Sequence, residues 1–374
     1  MKVLALTVAA GNGHNKAAES IKECLESDYE NVEVEIFDTF KYINPVLDKL
    51  IVGSYLKSVK SIPSLYRKLY AYAENDESVS HFSQFINDIL SVKLKNLILE
   101  KNPDVIYCTN PFPVEMLSIL KRKGKISTPV VAILTDYAPH AFWFYNCIDA
   151  YVVPHEDFLW EIKEKGVPLN TIYPFGIPIS NDFLNPVDKK AVLDELGLSP
   201  NKLTLLLMGG GLGIGNITKI YKELCFSSLD VQFIICCGKN NKLKNQLNCL
   251  KSRTLKKTVI FGYTNRIPEF MSVSDILISK PGGLTVAESL VKKLPMIITS
   301  TIPGQEEKNA EYLINNGIAA KVKEYDNIIN LLYQFSESTF RLNHMKQMAE
   351  EKAKPDSTQN ISKLIYEYGK GIVK

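Results

Sequence analysis

Among the 374 residues there is no Cys-x-x-Cys pair, no Asp-x-Asp pair, and no apolar run near the roughly 18 residues that a membrane-crossing helix needs. The first absence removes the commonest zinc and dithiol spacings. Cys24, Cys108, Cys147, Cys225, Cys236, Cys237 and Cys249 mostly stand in apolar stretches suited to small buried side chains, so the chain reads as cytosolic and without a disulfide framework. The second absence, with no His/Cys/Asp/Glu cluster at ligand spacing, implies neither a metal nor another cofactor. The third leaves peripheral contact as the only route to a membrane. Excess charge is missing as well: 44 basic against 41 acidic residues give a formal +3, too balanced to argue for a nucleic-acid partner.

What is present is a length that favours two domains and a repeated strand–loop–helix order. Met1 to Ala10 has the outline of a short secretion signal, yet it is only as long as a parallel strand and runs straight into Gly11-Asn12-Gly13 and a helical pattern. We therefore expect a strand (Lys2 to Val8), a glycine loop (Ala9 to Asn15), a helix (Lys16 to Glu26) and a strand (Val32 to Phe37), a βαβ unit. Further strands are expected at Asp104 to Cys108, Val130 to Leu134 and Ala150 to Val153. After a proline- and asparagine-rich linker, Pro174 to Pro186, and a helix, Lys189 to Leu196, a second series follows: Leu203 to Met208, Val231 to Cys237, Thr258 to Phe261, Ile276 to Ser279, Met296 to Thr299 and Ala319 to Val322. The fold class is thus α/β, with two Rossmann-like doubly wound domains facing across a cleft. The expected division is residues 1–180, residues 200–355, and a C-terminal helix over 356–374 that is a candidate to return to the first domain.

In the second half, Met208 to Gly215 carries Gly209, Gly210, Gly211 and Gly213 after an apolar strand and before a helix, where bare N–H groups can approach a phosphate. No Gly-x-Gly-x-x-Gly register is complete, and a plain glycine turn is the alternative. Lys280-Pro281-Gly282-Gly283-Leu284-Thr285 repeats this context, with Lys280 and the Thr285 hydroxyl available to phosphate. Glu288, on the helix that follows, suits vicinal ribose hydroxyls, or is a solvated helix residue. The Gly304 to Asn309 stretch gathers Gln305, Glu306 and Asn309 in an expected loop apt for sugar hydroxyls, or else is a capped helix start.

In the first half, Gly11-Asn12-Gly13-His14 closes the first strand. His14, with an unperturbed pKa near 6.5, is a candidate general base, and packing is its alternative. The loop lacks the Gly-Lys-Ser/Thr of a P-loop, while Asp38 after the next strand keeps a dinucleotide site faintly in view. Asp136, at a strand's carboxyl end, is a second candidate base or a group that orients His14; Trp143 follows on the acceptor side. Lys41 to Tyr70 holds six basic residues, among them Lys57, Lys60, Arg67 and Lys68, against Asp48. Its apolar residues recur at helical spacing, so it is either an interfacial helix for an anionic membrane or a surface helix on the core. Lys239 to Lys257, basic and without an acid, reads as a solvated face.

Together, Gly11-Asn12-Gly13-His14, Thr135-Asp136, Gly176-Ile177-Pro178-Ile179, Cys237-Gly238-Lys239-Asn240, Phe261-Gly262-Tyr263, Lys280-Pro281-Gly282-Gly283-x-Thr285 and Pro303-Gly304-Gln305-Glu306 resemble, over nearly the whole chain, the processive diacylglycerol glucosyltransferases and monogalactosyldiacylglycerol synthases of glycosyltransferase family 28. Ser180 departs from the arginine of many relatives. The resemblance implies a GT-B fold, a UDP-sugar donor, inversion without a metal, and diacylglycerol or its glycoside as acceptor. It implies His14 on the acceptor side beside Gly13. On the donor side it implies Gly210, Gly211 and Thr285 at the diphosphate, Glu288 at the ribose, Gln305 and Glu306 at the sugar, and Gly262 and Tyr263 near the uracil, with Gly238, Gly282 and Gly283 among the donor-binding residues. Competing expectations are transfer to a polyprenyl-linked intermediate, a UDP-sugar 2-epimerase, and a non-catalytic UDP-sugar sensor.

Overall fold

The computed structural model describes residues 1–9, 13–43, 91–211, 213, 216–322 and 326–373. The chain forms two compact units. Unit 1 comprises Met1–Ser180, Ile302–Gln305 and Lys354–Lys374, and unit 2 comprises Asn181–Thr301 and Glu306–Ala353.

Unit 1 is built on β1 (Lys2–Thr7), β2 (Glu33–Asp38), β3 (Val105–Cys108), β4 (Val130–Ile133), β5 (Ala150–Val152) and β6 (Ile172–Tyr173), in the order β2-β1-β3-β4-β5-β6. All pairs are parallel. Apolar runs such as those of β1, β3 and β4 suit this arrangement because helices cover both faces of a parallel sheet, leaving no wet side for alternation to mark. Helix Gly13–Asp28 and the C-terminal helix Ser357–Gly369 cover one face together, with Ile21, Leu25, Ile361 and Ile365 fully buried and Tyr29 stacked on Tyr366 at 4.0 Å. Gly176 is required where it stands: its φ is +97°, and a Cβ there would lie 2.5 Å from Cβ of Lys354. Just beyond, the Ile179 amide donates to Thr358 Oγ1 (3.0 Å) and the Thr358 hydroxyl returns a bond to the Ile179 carbonyl (2.7 Å), pinning the outgoing and returning chain segments together.

Unit 2 has β7 (Leu203–Met208), β8 (Val231–Cys236), β9 (Thr258–Phe261), β10 (Ile276–Ser279), β11 (Met296–Ile298) and β12 (Ala319–Lys321), in the order β12-β11-β10-β7-β8-β9, again all parallel. Leu205, Leu207, Phe233, Ile235, Ile276 and Ile278 are at most 2% exposed and form the core with the flanking helices.

Three local expectations are corrected. The first helix begins at Gly13, three residues before Lys16, because the Thr7 hydroxyl at the end of β1 donates to Asn15 Oδ1 (3.1 Å) and holds that turn in place. Gln305 to Asn309 is no loop but the opening of helix Gln305–Asn315. The two-residue strand β6, too short for a period to show, extends the first sheet by one edge. Beyond Ile43 the basic amphipathic segment, with Lys57, Lys60, Arg67 and Lys68, lies outside the described residues.

Candidate active site

In an open parallel sheet, loops at the carboxyl ends of adjacent strands part where the strand order reverses, which creates a crevice. Unit 1 reverses between β1 and β3, and His14 stands there, in the first turn after β1. Its Nδ1 lies 2.7 Å from the Thr109 carbonyl, just past β3, and 2.9 Å from Thr135 Oγ1, just past β4. A carbonyl oxygen can only accept, so Nδ1 carries the hydrogen and Nε2 of the neutral ring is left as the acceptor. The Thr135 hydroxyl also reaches the Thr109 carbonyl (3.3 Å), and the Thr109 hydroxyl donates to the His14 carbonyl (3.0 Å). Burial pushes the His14 pKa below its ordinary 6.5, and the bond to Thr109 raises it in part. A neutral imidazole with a fixed tautomer and a bare Nε2 is the form that accepts a proton.

The orienting task that the sequence reading offered to Asp136 is thus met at Nδ1 by Thr109 and Thr135. Neither threonine had been assigned a role. Thr135 stands in the Thr135-Asp136 motif, and the sequence signal of Thr109 is its place directly after β3, the strand beside β1. Asp136 follows Thr135 and is half-buried. Gly13 opens the helix that carries His14. Trp143 was expected on the acceptor side, but it is 3% exposed in a short 3-10 turn, so its ring belongs to the interior. The Asp38 carboxylate accepts the Ala9 and Lys41 amides (both 3.1 Å), clamping the first loop to the next helix start, a structural use for the acid that had suggested a dinucleotide.

Unit 2 reverses between β7 and β10, and the two glycine loops follow those two strands. They are joined at their base by the Ser279 hydroxyl, which donates to the Met208 carbonyl (3.1 Å). Gly282 is the N-cap of helix Gly283–Val291, with φ −67° and no side-chain cap, and nothing lies within 4 Å of where its Cβ would be. The first-turn N–H groups thus have no capping side chain to take them, and the half-buried Thr285 hydroxyl has no hydrogen bond among the described residues. Gly210, at φ +65°, is open in the same way, and Gly211 follows it. Glu288 is half-buried on the same helix.

Gly238 differs. Its φ is +56°, and a Cβ would sit 2.5 Å from the Gly211 carbonyl oxygen and 2.7 Å from that of Gly210. The Lys239 amide donates to that Gly211 oxygen (3.0 Å), and Asn240 Nδ2 to the Gly213 carbonyl (3.1 Å). What demands glycine at 238 is thus the packing of one loop on another. Gly262 stands beyond it, and Tyr263, 50% exposed, lies under the Lys239 ammonium at 5.6 Å.

Lys280 Nζ donates to Glu306 Oε1 at 2.8 Å, both side chains being under one fifth exposed. Asn309 is fully buried and its Nδ2 holds the Pro281 carbonyl (2.9 Å), so it positions the Lys280–Gly283 turn; as a sugar contact it is corrected, since its amide faces protein. Gln305 starts the helix, half-buried.

A family model for monogalactosyldiacylglycerol (MGDG) synthase matches residues 14–179, and one for the glycosyltransferase family 28 C-terminal domain matches residues 204–365. The processive diacylglycerol beta-glucosyltransferase of Staphylococcus carnosus is 30% identical over 94% of this chain and 89% of its own length. This chain belongs to that family. The corresponding protein of Staphylococcus aureus strain Newman is 29% identical over 96% of this chain and 91% of its own length. Among solved structures, Acinetobacter baumannii MurG shares the fold at TM-score 0.64 and 15% identity, covering 98% of this chain and 99% of that one. The S. aureus MnaA-UDP co-structure does so at TM-score 0.63 and 11% identity, covering 100% and 97%. The architecture is accordingly GT-B, as the sequence reading expects.

The first family match begins at His14 and ends at Ile179, and the second begins inside β7, so His14 and both glycine loops of unit 2 fall within the matched segments of this glucosyltransferase-family chain. Among the described residues there is no group of three or more metal-ligating side chains, and no helix is long and apolar enough to cross a membrane.

Proposed function

We propose that the chain is an inverting UDP-hexose:diacylglycerol glycosyltransferase. UDP-glucose is the favoured donor, with UDP-galactose as the alternative hexose, and diacylglycerol or its glycoside accepts at the anionic surface of the membrane's inner face. The reading rests on family membership, and the observation that carries its chemistry is the fixed tautomer of His14, with Nδ1–H bound to the Thr109 carbonyl. The donor diphosphate is assigned to Gly210, Gly211, Gly282, Gly283 and Thr285, the ribose to Glu288, the uracil to the neighbourhood of Gly262 and Tyr263, and the sugar to Gln305 and Glu306, with no metal or other cofactor.

In the reaction, Nε2 of His14 takes the proton of the lipid hydroxyl while its oxygen forms a bond to the anomeric carbon. The bond from that carbon to the phosphate oxygen breaks on the opposite face, and its electron pair leaves on UDP. One displacement of an α-linked donor gives a β-glycoside. The charge gathering on UDP is met by the N–H groups that open helix Gly283–Val291, held ready before the charge appears. Lys280 reaches the diphosphate only if it shares its charge with Glu306 or leaves it.

The test is incubation with diacylglycerol in anionic vesicles and UDP-glucose or UDP-galactose supplied separately, with products identified by mass and anomeric configuration. A β-glycolipid from one donor is the expected result. UDP release only with a polyprenyl-linked acceptor would overturn the acceptor, and UDP binding without turnover would overturn the reaction.

A further inference from the structure

Unit 2 contains a second concavity that the transferase reading does not use. It runs beside the edge strand β12, two strands removed from β10, and is closed by helices Asp326–Glu337 and Thr339–Lys352. Its volume of about 670 Å³ falls within the usual range for small-molecule sites, roughly 300–1,000 Å³. Lys321, Arg341 and His344 line it together with the amides of Asn330 and Gln334, over apolar surface that includes Met345, and among the described residues no aspartate or glutamate lines it.

The lining is basic in net charge. Some basic side chains of the unit pair with carboxylates, as Arg266 does with Glu195 and Glu269 and Lys293 with Glu350, while others, such as Lys251 and Arg253, have no ion pair among the described residues. Among the described residues none of Lys321, Arg341 and His344 has an ion pair. Arg341 is nevertheless held in place: its Nη1 donates to Gln334 Oε1 at 3.0 Å, and its guanidinium carbon lies 5.4 Å from the centre of the Phe335 ring. A held guanidinium and an ammonium that share one cavity repel each other, and an anion between them offsets that repulsion. The donors outnumber what a carboxylate's two oxygens can use, whereas the fork of an arginine, a lysine and nearby amides match the oxygens of a phosphate. The apolar surface beside them suits the organic part of an ester.

We propose that this cavity binds a phosphate ester, with Arg341 and Lys321 on the phosphate and Met345 against its apolar part. The proposal is independent of the transferase reading. Both a soluble phosphate ester and a phospholipid headgroup carry this chemistry, and two probes separate them: glycerol 3-phosphate, followed by calorimetry, and phosphatidylcholine vesicles containing about one third phosphatidylglycerol, followed by co-sedimentation. Saturating UDP is present in both so that phosphate sites at the glycine loops are filled.

The test variant is Lys321→Gln/Arg341→Gln. Its control is Lys251→Gln/Arg253→Gln, which removes two exposed cations elsewhere in the same unit and so loses equal charge. The expected result is that wild type and control bind one probe alike while the test variant binds it at least about tenfold more weakly, roughly 1.4 kcal/mol. Binding of glycerol 3-phosphate identifies a soluble ester, and binding of vesicles alone identifies a headgroup. No binding of either probe by the wild type overturns the proposal, and so does an equal loss in test and control variants or no loss in the test variant. Should the double variant fail to fold, Lys321→Gln alone, an exposed strand position, is used with an expected loss of about threefold.

Discussion

Unit 1 places an imidazole where its strand order reverses, between β1 and β3, whereas unit 2 places bare backbone between β7 and β10. The imidazole is surrounded by aiming devices: the Thr109 carbonyl, the Thr135 hydroxyl and the bond from Thr7 that fixes the turn. At the glycine loops much of the design is subtraction, with no Cβ at 210 or 282 and no cap on the helix. A proton carrier works only when one nitrogen points one way, so it needs neighbours that fix its tautomer. An anion cradle needs uncovered N–H groups and room. The two sites should therefore break differently.

The largest expected effect is at the imidazole. His14→Ala should lower turnover about a thousandfold, within the usual range for loss of a general base, while UDP affinity stays within about twofold. Rates at saturating acceptor and direct UDP titration check both halves. A tenfold loss of UDP affinity would move His14 to the donor side and dissolve the division of labour.

The glycines sharpen the other side of the comparison, because two that look alike in sequence have different reasons to be there. Gly238→Ala drives a methyl to 2.5 Å from the Gly211 oxygen at φ +56°, so unfolding free energy should fall by roughly 1–3 kcal/mol. Gly282→Ala meets nothing within 4 Å at an ordinary φ of −67°, and stability should hold within about 0.5 kcal/mol. Its methyl stands where a phosphate must approach, so UDP affinity should drop about tenfold. Denaturant melts paired with UDP titrations read both, and a Gly282→Ala protein that binds UDP normally would remove that loop from the site.

Asn309→Leu tests a residue whose role the structure reassigns. The Pro281 carbonyl loses its buried donor, which should cost about 1–3 kcal/mol of stability. An unchanged melt with a weakened sugar preference would restore the sugar-contact reading.

Much of this was legible beforehand. The strands at Leu203 to Met208, Thr258 to Phe261 and Ile276 to Ser279 are observed with those same bounds, since an apolar run that ends in glycine or serine marks a buried parallel strand clearly. Boundaries failed where tertiary bonds decide them. Nothing local says that Thr7 will hold Asn15 and start a helix at Gly13, or that Asn309 will turn inward to reach Pro281. The bonds of Thr109 and Thr135 to His14 were hidden for a related reason: they span sequence separations of 95 and 121, and no spacing rule reaches that far. The difference between Gly238 and Gly282 was equally hidden, because a glycine's letter does not tell whether protein or ligand fills the space beside it.

The smallest effect bears on how the imidazole is aimed. Burial disfavours the imidazolium and the Thr109 carbonyl favours it through Nδ1–H, with burial the larger influence, so the His14 pKa lies below 6.5 and the ring is neutral at pH 7. The sign follows: the neutral ring is the base, so kcat/KM should decline as pH falls through a midpoint that lies below 6.5. Thr135→Val removes one hydroxyl at a buried position without much change of volume and leaves the Thr109 carbonyl in place. The plateau should fall about three- to tenfold as the ring's aim loosens, while the acid limb stays below 6.5. A pH–rate series on wild type and variant separates the two quantities. A limb above 6.5 in the wild type would mean that the group taking the proton is not this imidazole, and an unchanged plateau in the variant would leave the Thr109 carbonyl as the sole aiming partner.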